Sequence, residues 1–585
     1  MDEHTNRPAG GYSALPFKKL LYLPHLLSKK EKRVMALLAL LCLTSGTWLL
    51  MRGYHNITQP IPAIGSSYTE GAVGEPITIN PLLASRDIDR DLSRLVYAGL
   101  LTYGPDGTPV PDLADRYEVS ADGKIYTVTI RNGLIWHDGK PLTADDVAFT
   151  VKLIQNPQYK SPLRANWQGV LAEVLNPQTI RFTLRAPYEP FIENLTVGII
   201  PLHLWENVTP EQMPLHELNL KPVGSGPYQF SGIKQSTAGS LTSYTLTRNK
   251  KYHREGPYLQ TITFQFYPTE SALSSAWRAG TIEGFGPVAN PSELPATIQA
   301  ASLHPLEMPR IFGIFFNQKR SPALADSTVR SAIARAIDKK KLADSASASG
   351  KVPLDGVLPW ISAPDELKNI FNPEVARTLL DQGGWKETDA DGIRQKKLKD
   401  AKGKQILTRL AFTLSTSDWP DLLQTADSIK EMLRAVGIEI TIEKKPFTEL
   451  QSSVIRPRAF DILLFGQVYG YEPDPFAFWH SSQTRDPGLN VALYASKSAD
   501  KLLESARTTE DSAERAREYE QFSRLLLKDT PAVFLFSQLY LYLLPADIQG
   551  VNLSKISLPA DRFNDINLWY RSTKRAWSAS APQKN

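Results

Sequence analysis

The sequence predicts an α/β protein of two or three domains that follow one membrane-spanning helix. Its 585 residues exceed what one ordinary hydrophobic core covers. A strand pattern changes to helical apolar spacing near residue 140, and a helix–Gly–strand step near residue 437 is typical of a βαβ unit. Residues 34–51 form an uncharged apolar run, just long enough to cross a bilayer as a helix.

The composition is that of a globular protein, with 42% hydrophobic and 22% charged residues. Cys42 is the single cysteine, so an intramolecular disulfide is excluded. Residues 1–33 carry most of the net charge of +5, which leaves the body close to neutral. A neutral body argues against nucleic-acid binding, which needs a basic face.

The charges around the apolar run predict its orientation. Lys29, Lys30, Lys32 and Arg33 precede the run, whereas Arg52 alone follows closely. The positive-inside rule therefore predicts a cytoplasmic tail (1–33), a transmembrane anchor (34–51) and a body outside the cytoplasm. A cleaved signal peptide is the alternative. Residues 52–63, which contain two prolines, are predicted to be a linker between anchor and body.

The segment 113–157 contains the clearest local pattern in the chain. Apolar and polar residues alternate from 126 to 131, after an Asp-Gly turn, and a second short strand is predicted at 134–136. Thr143 is a candidate N-cap, and the carboxylates at 145 and 146 favour the positive end of a helix dipole. Helical spacing of apolar residues then continues to Pro157, which ends the helix.

Other elements follow from the same reasoning. A helix is predicted at 91–101, an amphipathic helix at 426–436 and a strand after Gly437. The apolar run 462–465 predicts a buried strand that ends at Gly466, and 530–544 predicts two strands split at Ser537-Gln538.

The order strand, turn, strand, WHDGKPLTADDV, helix resembles the signature of bacterial extracellular solute-binding proteins of family 5, the peptide and nickel receptors of ABC importers. PVGSGPYQF at 222–230 is similar to that family's VGTGPY turn. The segment 313–342 is similar to its strand and xxVRxAIxxAID helix. The resemblance covers roughly residues 64–571.

This resemblance implies a periplasmic-binding-protein type II-like fold, with two lobes plus an extra small domain around a ligand cleft. Lobe I would combine residues 64–103, 223–310 and 537–571. The small domain II would span 104–222, and lobe III would span 311–536. Residues 572–585 are predicted to be a disordered tail.

The resemblance places the ligand site in the loop after the strand at 462–465. Peptide binders of the family usually have a Trp and an Asp there, and the Asp pairs with the amine of the ligand. In this chain Gln467 stands at the Trp position, and no Asp occurs between Gln467 and Tyr471. Glu472 and Asp474 are candidates to replace the missing Asp, although Asp474 in a PDP sequence also fits a turn. Tyr469 and Tyr471 can stack on the ligand and donate hydrogen bonds.

Five further candidate ligand contacts rest on the resemblance alone. Ser85 and Asp87 belong to a loop that reaches the cleft in relatives, and Trp167 lies in a stretch that approaches the ligand. Surface packing is an equal explanation for Trp167. Phe447 and Asn490 occupy positions that face ligand in some relatives.

The predicted function is therefore capture of oligopeptides by lobe closure and their delivery to an ABC importer permease. The alternatives are a receptor for a non-peptide solute (a nickel chelate, a glycan or an opine) and a membrane-anchored sensor or scaffold. We expect no catalysis, no metal and no cofactor, because neither a nucleophile motif nor paired His ligands occur. The protein is expected to be a monomer.

Overall fold

The computed structural model describes residues 28–577, apart from residues 289, 345–349, 359–360, 400–402, 472–473, 510 and 553. The chain divides into two compact units. The first contains the segment up to Ala63 and the segment from Ser572 onward. The second runs from Ile64 to Arg571.

The first unit begins with the helix Lys29–Ile57, which is long and apolar enough to cross a membrane. Ser28 caps it: its hydroxyl oxygen accepts from the Glu31 N–H at 3.4 Å, and its own N–H donates to Glu31 Oε2 at 2.8 Å. The helix begins before the predicted apolar span and ends six residues after it.

The predicted linker and the predicted disordered tail are both corrected by a two-stranded ribbon. Thr58–Pro62 pairs antiparallel with Thr573–Trp577, and residues 578–585 lie outside the described part of the chain. Arg575 donates from Nη2 to the carbonyls of His55 (3.1 Å) and Thr58 (2.7 Å). A cation therefore satisfies carbonyls at the helix C-terminus, which carries the negative end of the dipole.

The second unit contains three sheets of four or more strands within the described residues. Sheet A has seven strands, in the order Leu303–Leu306, Tyr540–Leu543, Gly284–Phe285, Gly65–Val73, Leu259–Tyr267, Leu241–Arg248, Tyr228–Gln235. Sheet B has six strands, in the order Lys351–Pro353, Ala532–Gln538, Arg310–Phe316, Ile462–Val468, Ala411–Ser417, Glu439–Lys445. Sheet C has four strands, in the order Ala114–Val119, Ile125–Ile130, Thr179–Thr183, Leu171–Asn176.

Smaller sheets and the helices complete the unit. A ribbon pairs Leu101–Tyr103 with Pro109–Pro111, and a three-stranded sheet joins Glu387–Thr388, Arg394–Lys399 and Gln405–Arg409. The helices of seven residues or more are Asp87–Val96, Ala144–Gln155, Glu270–Arg278, Ala296–Ser302, Ser327–Ala336, Pro373–Gln382, Pro420–Arg434, Lys497–Ala506 and Ser512–Asp529.

Two short segments connect sheet A with sheet B. Residues 307–309 join the strand Leu303–Leu306 to Arg310–Phe316, and Leu539 joins Ala532–Gln538 to Tyr540–Leu543. The predicted pair of strands at 530–544 is confirmed, but the split falls at Leu539 because each half pairs with a different sheet. Short paired connections of this kind are where hinge motion concentrates.

Sheet C confirms most of the local pattern at 113–157. The strand Ile125–Ile130 and the helix Ala144–Gln155 form as predicted, and the N–H of Thr143 donates to Asp146 Oδ2 at 2.8 Å. The predicted strand at 134–136 is only an isolated bridge between Ile135 and Pro141.

His137, which follows the sheet C strand Ile125–Ile130, forms hydrogen bonds with the turn at 222–230. The N–H of Gly224 donates to His137 Nδ1 (3.2 Å), and His137 Nε2 lies 3.1 Å from the carbonyl of Gly226. The imidazole thus accepts at one nitrogen and donates at the other, as a neutral histidine does.

The central strands of sheet B carry buried apolar side chains. Ile462 and Leu464 are fully buried together with Ile314 on the neighbouring strand. The predicted buried strand is confirmed, although it continues past Gly466 to Val468, because Gln467 and Val468 still pair with Ile311 and Arg310.

The interior beside sheet A instead contains a buried charge cluster. Arg562 Nη2 lies 2.9 Å from Glu70 Oε1 and 2.6 Å from Asp91 Oδ2, and Tyr542 donates to Glu70 Oε2 at 2.9 Å. Asp91 lies on the helix Asp87–Val96, which begins and ends earlier than the predicted 91–101. All three charged groups are almost fully buried.

Candidate ligand cleft

The loop after the strand Ile462–Val468 lies beside the connection between sheets A and B. The N–H of Tyr469 donates to the carbonyl of Pro309 at 2.8 Å, and Pro309 belongs to the segment 307–309. The loop is therefore held where a hinge motion would move it.

This loop forms one wall of a pocket of about 580 Å³. Val468, Tyr469, Gly470, Asp474 and Phe478 contribute from the loop. Residues 165–170 and 184–194, which flank strands of sheet C, form the other wall. The volume is in the range of small-ligand sites.

A second pocket of about 290 Å³ adjoins the first. Both are lined by Asn166, Glu193 and Asn194. The second also contacts Arg94 of the helix Asp87–Val96 and Leu558. We call the two pockets together the cleft. It brings together segments from residue 81 to residue 560, far apart in the sequence.

Gln467 and Tyr469 belong to one buried hydrogen-bond chain. Trp479 Nε1 donates to the Tyr469 hydroxyl (3.2 Å), which donates to Gln467 Oε1 (3.3 Å). Burial raises the pKa of Tyr469 well above its usual range, so the hydroxyl stays protonated. Gln467 is 4% exposed, and its Nε2 has no hydrogen-bond partner among the described residues. A buried donor without a partner is costly, and this amide lies one residue before the pocket-lining Val468, although Gln467 itself lines neither pocket of the cleft.

Tyr471 packs rather than presenting its ring to the pocket. Its ring lies 4.1 Å from that of Tyr103, centroid to centroid, and its hydroxyl donates to the carbonyl of Lys555 at 3.3 Å. A Cβ at Gly107, where φ is +84°, would overlap the Tyr471 ring. The predicted ligand-stacking role is therefore unsupported for Tyr471, because its faces are already used inside the protein.

Asp474 already has an ion-pair partner. Its Oδ2 accepts from Arg507 Nε at 2.9 Å and Nη2 at 2.5 Å, and from the Tyr188 hydroxyl at 3.4 Å. The carboxylate is neutralised within the protein, which argues against its use as a replacement amine anchor. The other candidate, Glu472, lies outside the described residues.

Asn490 and Trp167 are both buried. The side-chain amide of Asn490 donates to the carbonyls of Trp479, His480 and Tyr494, so it organises a turn. Trp167 lines the smaller pocket and packs edge-on against the rings of Phe182 and Phe191. The prediction that Asn490 faces ligand is therefore unsupported, since its donors are used internally.

Phe447, Ser85 and Asp87 are exposed. Phe447 is 54% exposed and stacks on Phe465 with the rings 6.1 Å apart and nearly parallel. Asp87 begins the helix Asp87–Val96 and lies 3.4 Å from Arg90. The carboxylate is exposed and paired only at the surface, and Asp87 lines neither pocket of the cleft.

Arg310 was not among the residues selected from the sequence. It is the first residue of the strand Arg310–Phe316, directly after the connection 307–309. Burial lowers the pKa of its guanidinium, and the negative charge of Asp87 partly offsets this. Its side chain is partly buried, and Asp87 is the charged group that acts on it. The missed Arg507, by contrast, is fully engaged by Asp474. A single arginine at the start of a strand has no local sequence pattern that would distinguish it from other arginines.

Comparison with known proteins agrees with this architecture. The family model of bacterial extracellular solute-binding proteins, family 5 Middle, matches residues 108–488. The oligopeptide-binding protein AppA of Bacillus subtilis is 28% identical over 502 residues, covering 84% of this chain and 89% of AppA. The dipeptide-binding protein of Escherichia coli is 25% identical, covering 79% and 87%.

Solved structures give the same result. AppA of Bacillus subtilis in complex with a nonapeptide superposes with a TM-score of 0.67 at 27% identity, covering 87% of this chain and 99% of AppA. The ABC transporter substrate-binding protein CtaP of Listeria monocytogenes superposes with a TM-score of 0.71 at 26% identity, again covering 87% and 99%. The predicted type II fold is confirmed, and this chain belongs to the bacterial extracellular solute-binding proteins of family 5.

Proposed function

We propose that this chain captures oligopeptides in the cleft and delivers them to an ABC importer permease. The observation that carries the proposal is the 580 Å³ pocket beside the connection between sheets A and B. The similarity to AppA, which was solved with a nonapeptide, favours peptides among the possible solutes.

Binding would proceed by closure of two lobes about the segments 307–309 and Leu539. Such closure shifts a protein between open and closed populations, and a ligand stabilises the form it contacts on both sides. The proposed division is lobe I at 64–103, 223–309 and 539–571, domain II at 104–222 and lobe III at 310–538. The boundaries at 310 and 537 move by one and two residues, because Arg310, Ser537 and Gln538 pair within sheet B. The protein would act as a monomer and without catalysis.

Contacts between domain II and lobe III support the division of the body into separate lobes. Glu189, in domain II, has a carboxylate oxygen 3.6 Å from Arg515 Nη2 of lobe III, and its N–H donates to the Arg507 carbonyl at 3.3 Å. Arg507 also lies over the Tyr188 ring at 5.2 Å. These polar contacts can break and re-form without exposing a hydrophobic core.

Tyr471, Asp474 and Asn490 are not proposed as ligand contacts, because their side chains are engaged within the protein. Gln467, Tyr469, Asp87, Ser85, Trp167 and Phe447 remain proposed contacts, because each is exposed, lines a pocket or has an unused donor. We propose that Asp87 replaces the missing amine anchor, since its single contact with Arg90 is an exposed surface pair, whereas Asp474 is half-buried and accepts two hydrogen bonds from Arg507. Gln467 would donate from Nε2 to a peptide carbonyl.

The helix Lys29–Ile57 would be a single-pass anchor that keeps the body outside the cytoplasm. Its length and composition suit a membrane span, and the basic residues lie at its N-terminal end. A signal sequence is the alternative. Mass spectrometry of the N-terminus of the mature protein distinguishes them, because a cleaved leader would remove the span.

The test of the function is a thermal-shift titration of the full chain in detergent. Di- to octapeptides with free or acetylated N-termini are compared with nickel-histidine and small sugars. A ligand at a hundred times its Kd adds about 2.7 kcal/mol of stability, which is readily measured. We expect free-amine peptides to stabilise the protein. Stabilisation by non-peptide solutes alone would make it a different receptor, and no response to any solute would favour a sensor or scaffold.

Two variants locate the amine site. Asp87→Asn should weaken free-amine peptides by tenfold or more and leave acetylated peptides unchanged, since one charge pair is lost. Asp365→Asn is the matched control, because Asp365 is also exposed and paired with a cation three residues on. Equal effects of the two variants would remove Asp87 from the proposed site.

A further inference from the structure

A third pocket lies apart from the two pockets that form the cleft. We infer that it binds a small hydrophilic anion through a carboxylate or phosphate group. Its volume is about 670 Å³. Among the described residues, it shares no lining residue with either cleft pocket. This site is independent of the proposed peptide site.

The pocket is built where sheet C meets the turn that leads into sheet A. The end of the strand Ile125–Ile130 and the residues after it form the floor. The start of Ala114–Val119 and the turn between Leu171–Asn176 and Thr179–Thr183 form two sides. Ser225 and the segment 251–253 close it from the other sheet. Five separate segments thus surround one concave space.

The charges of the lining residues favour an anion. Arg131 uses Nε to bind the carbonyl of Asp112 at 2.8 Å, and its two Nη atoms make no hydrogen bond within the described residues. Lys251 is exposed and likewise has no acidic partner in the described part of the chain. Arg116 is partly balanced by Asp115 at 3.5 Å. Cations therefore exceed carboxylates around the space.

The other acid near the pocket does not cancel these charges. Asp112 is buried beneath it, with Oδ1 2.7 Å from His253 Nε2 and 3.8 Å from Arg254 Nη1. Its charge is already shared by two partners. Arg131 and Lys251 are left as the free cations that an oxyanion would bridge, and the planar fork of Arg suits a carboxylate or phosphate.

Ser225 supplies the second, independent observation. It is 3% exposed, it lines this pocket, and its hydroxyl has no hydrogen-bond partner among the described residues. Buried hydroxyls normally find a partner. An oxyanion held by Arg131 and Lys251 would accept that hydrogen bond. The amide and hydroxyl side chains around it, such as Asn132, Gln178 and Thr129, suit a hydrophilic ligand body.

The test is equilibrium dialysis and calorimetry of the full chain with defined probes. The probes are inorganic phosphate, citrate and glucose 6-phosphate, with chloride at equal ionic strength and glucose as neutral controls. We expect saturable binding of one anion per chain, with no binding of glucose. Citrate binding more tightly than phosphate would identify a carboxylate ligand, and the reverse a phosphate ligand. The absence of saturable binding by all three anions would overturn the inference.

Variants assign the site. Lys251→Gln and Arg131→Gln should each weaken binding at least tenfold, and Ser225→Ala severalfold. Lys251 is exposed, so its replacement is not expected to disturb folding. Lys430→Gln, at an exposed lysine near a different concave surface, is the control and should change nothing. Equal loss in Lys430→Gln would show non-specific charge attraction and would overturn the inference. Peptide binding in the cleft is expected to be unchanged in Lys251→Gln.

Discussion

The interior beside sheet A combines an apolar core with a buried charge cluster, whereas the central strands of sheet B bury apolar side chains. Beside sheet A, Glu70, Asp91 and Arg562 are buried together and depend on one another. Within sheet B, Ile314, Ile462 and Leu464 pack apolar side chains with no obligatory partner. Charged groups taken out of water are stable only while every partner is present, whereas an apolar core loses stability in proportion to the volume removed. The difference predicts different responses to mutation and pH.

The largest expected effect is that of Arg562→Met. It leaves two buried carboxylates without their cation and should lower the free energy of unfolding by roughly 3–5 kcal/mol. Urea unfolding of the full chain in detergent measures it. The triple variant with Glu70→Gln and Asp91→Asn should recover much of the loss, because no charge then remains buried. A single-variant loss under about 1 kcal/mol would contradict the interdependence of the cluster.

Leu464→Ala tests the apolar side of the comparison. Removing this buried side chain should cost about 3 kcal/mol, from lost transfer energy and the cavity that remains. Val468→Ala on the same strand is the control, because Val468 is 40% exposed and should cost less than about 0.5 kcal/mol. If both variants cost the same, burial is not what makes Leu464 stabilising.

The third prediction concerns pH and the turn between sheets C and A. Burial lowers the pKa of His137 from 6.5 to about 4. The unfolded chain therefore binds the proton more readily, and stability falls as pH drops below 6.5 until about pH 4. The contribution of His137 should be a loss of about 2 kcal/mol at pH 5, taken as the difference from His137→Gln, because the raised pKa of Asp91 (about 6) offsets part of it in the whole protein. His137→Gln should flatten this dependence in urea titrations at pH 5 and 7, whereas Leu464→Ala should keep the wild-type slope.

The smallest expected effect on stability is that of Gln467→Met, a polar residue inside sheet B. The change removes the Nε2 that has no partner among the described residues, but it also removes the acceptor of the Tyr469 hydroxyl, so it should lower the free energy of unfolding by about 1 kcal/mol. The same variant should weaken peptide binding severalfold, measured by calorimetry. Loss of stability without loss of binding would show that Gln467 supports the fold and not the ligand.

The fold was predictable where a pattern is local. The strand Ile125–Ile130 and the helix Ala144–Gln155 follow from alternation, a cap and helical spacing within about 30 residues. The ribbon that pairs Thr58–Pro62 with Thr573–Trp577 was not predictable, because its two strands are short and lie at opposite ends of the chain. Each strand alone resembles a linker or a tail.

The site was predictable in place but not in chemistry. The loop after the strand at 462–465 was expected to contact ligand, and Val468, Tyr469 and Gly470 line the 580 Å³ pocket, which stays a proposed ligand site. The roles of Tyr471 and Asp474 depend on Tyr103 and Arg507, which approach from distant segments. No property of the loop sequence indicates whether a carboxylate is already paired.

The sequence by itself determined the apolar N-terminal helix and the apolar strands of sheet B, since local periodicity and composition decide these. Its class followed from the resemblance of several motifs to a known family. The tertiary structure decided which charges are used. Asp474 is neutralised by Arg507, Asp91 and Glu70 share Arg562, and Arg131 and Lys251 are left to face an open pocket. The physical reason is that electrostatic partnership depends on distances of a few ångströms between groups that may be hundreds of residues apart.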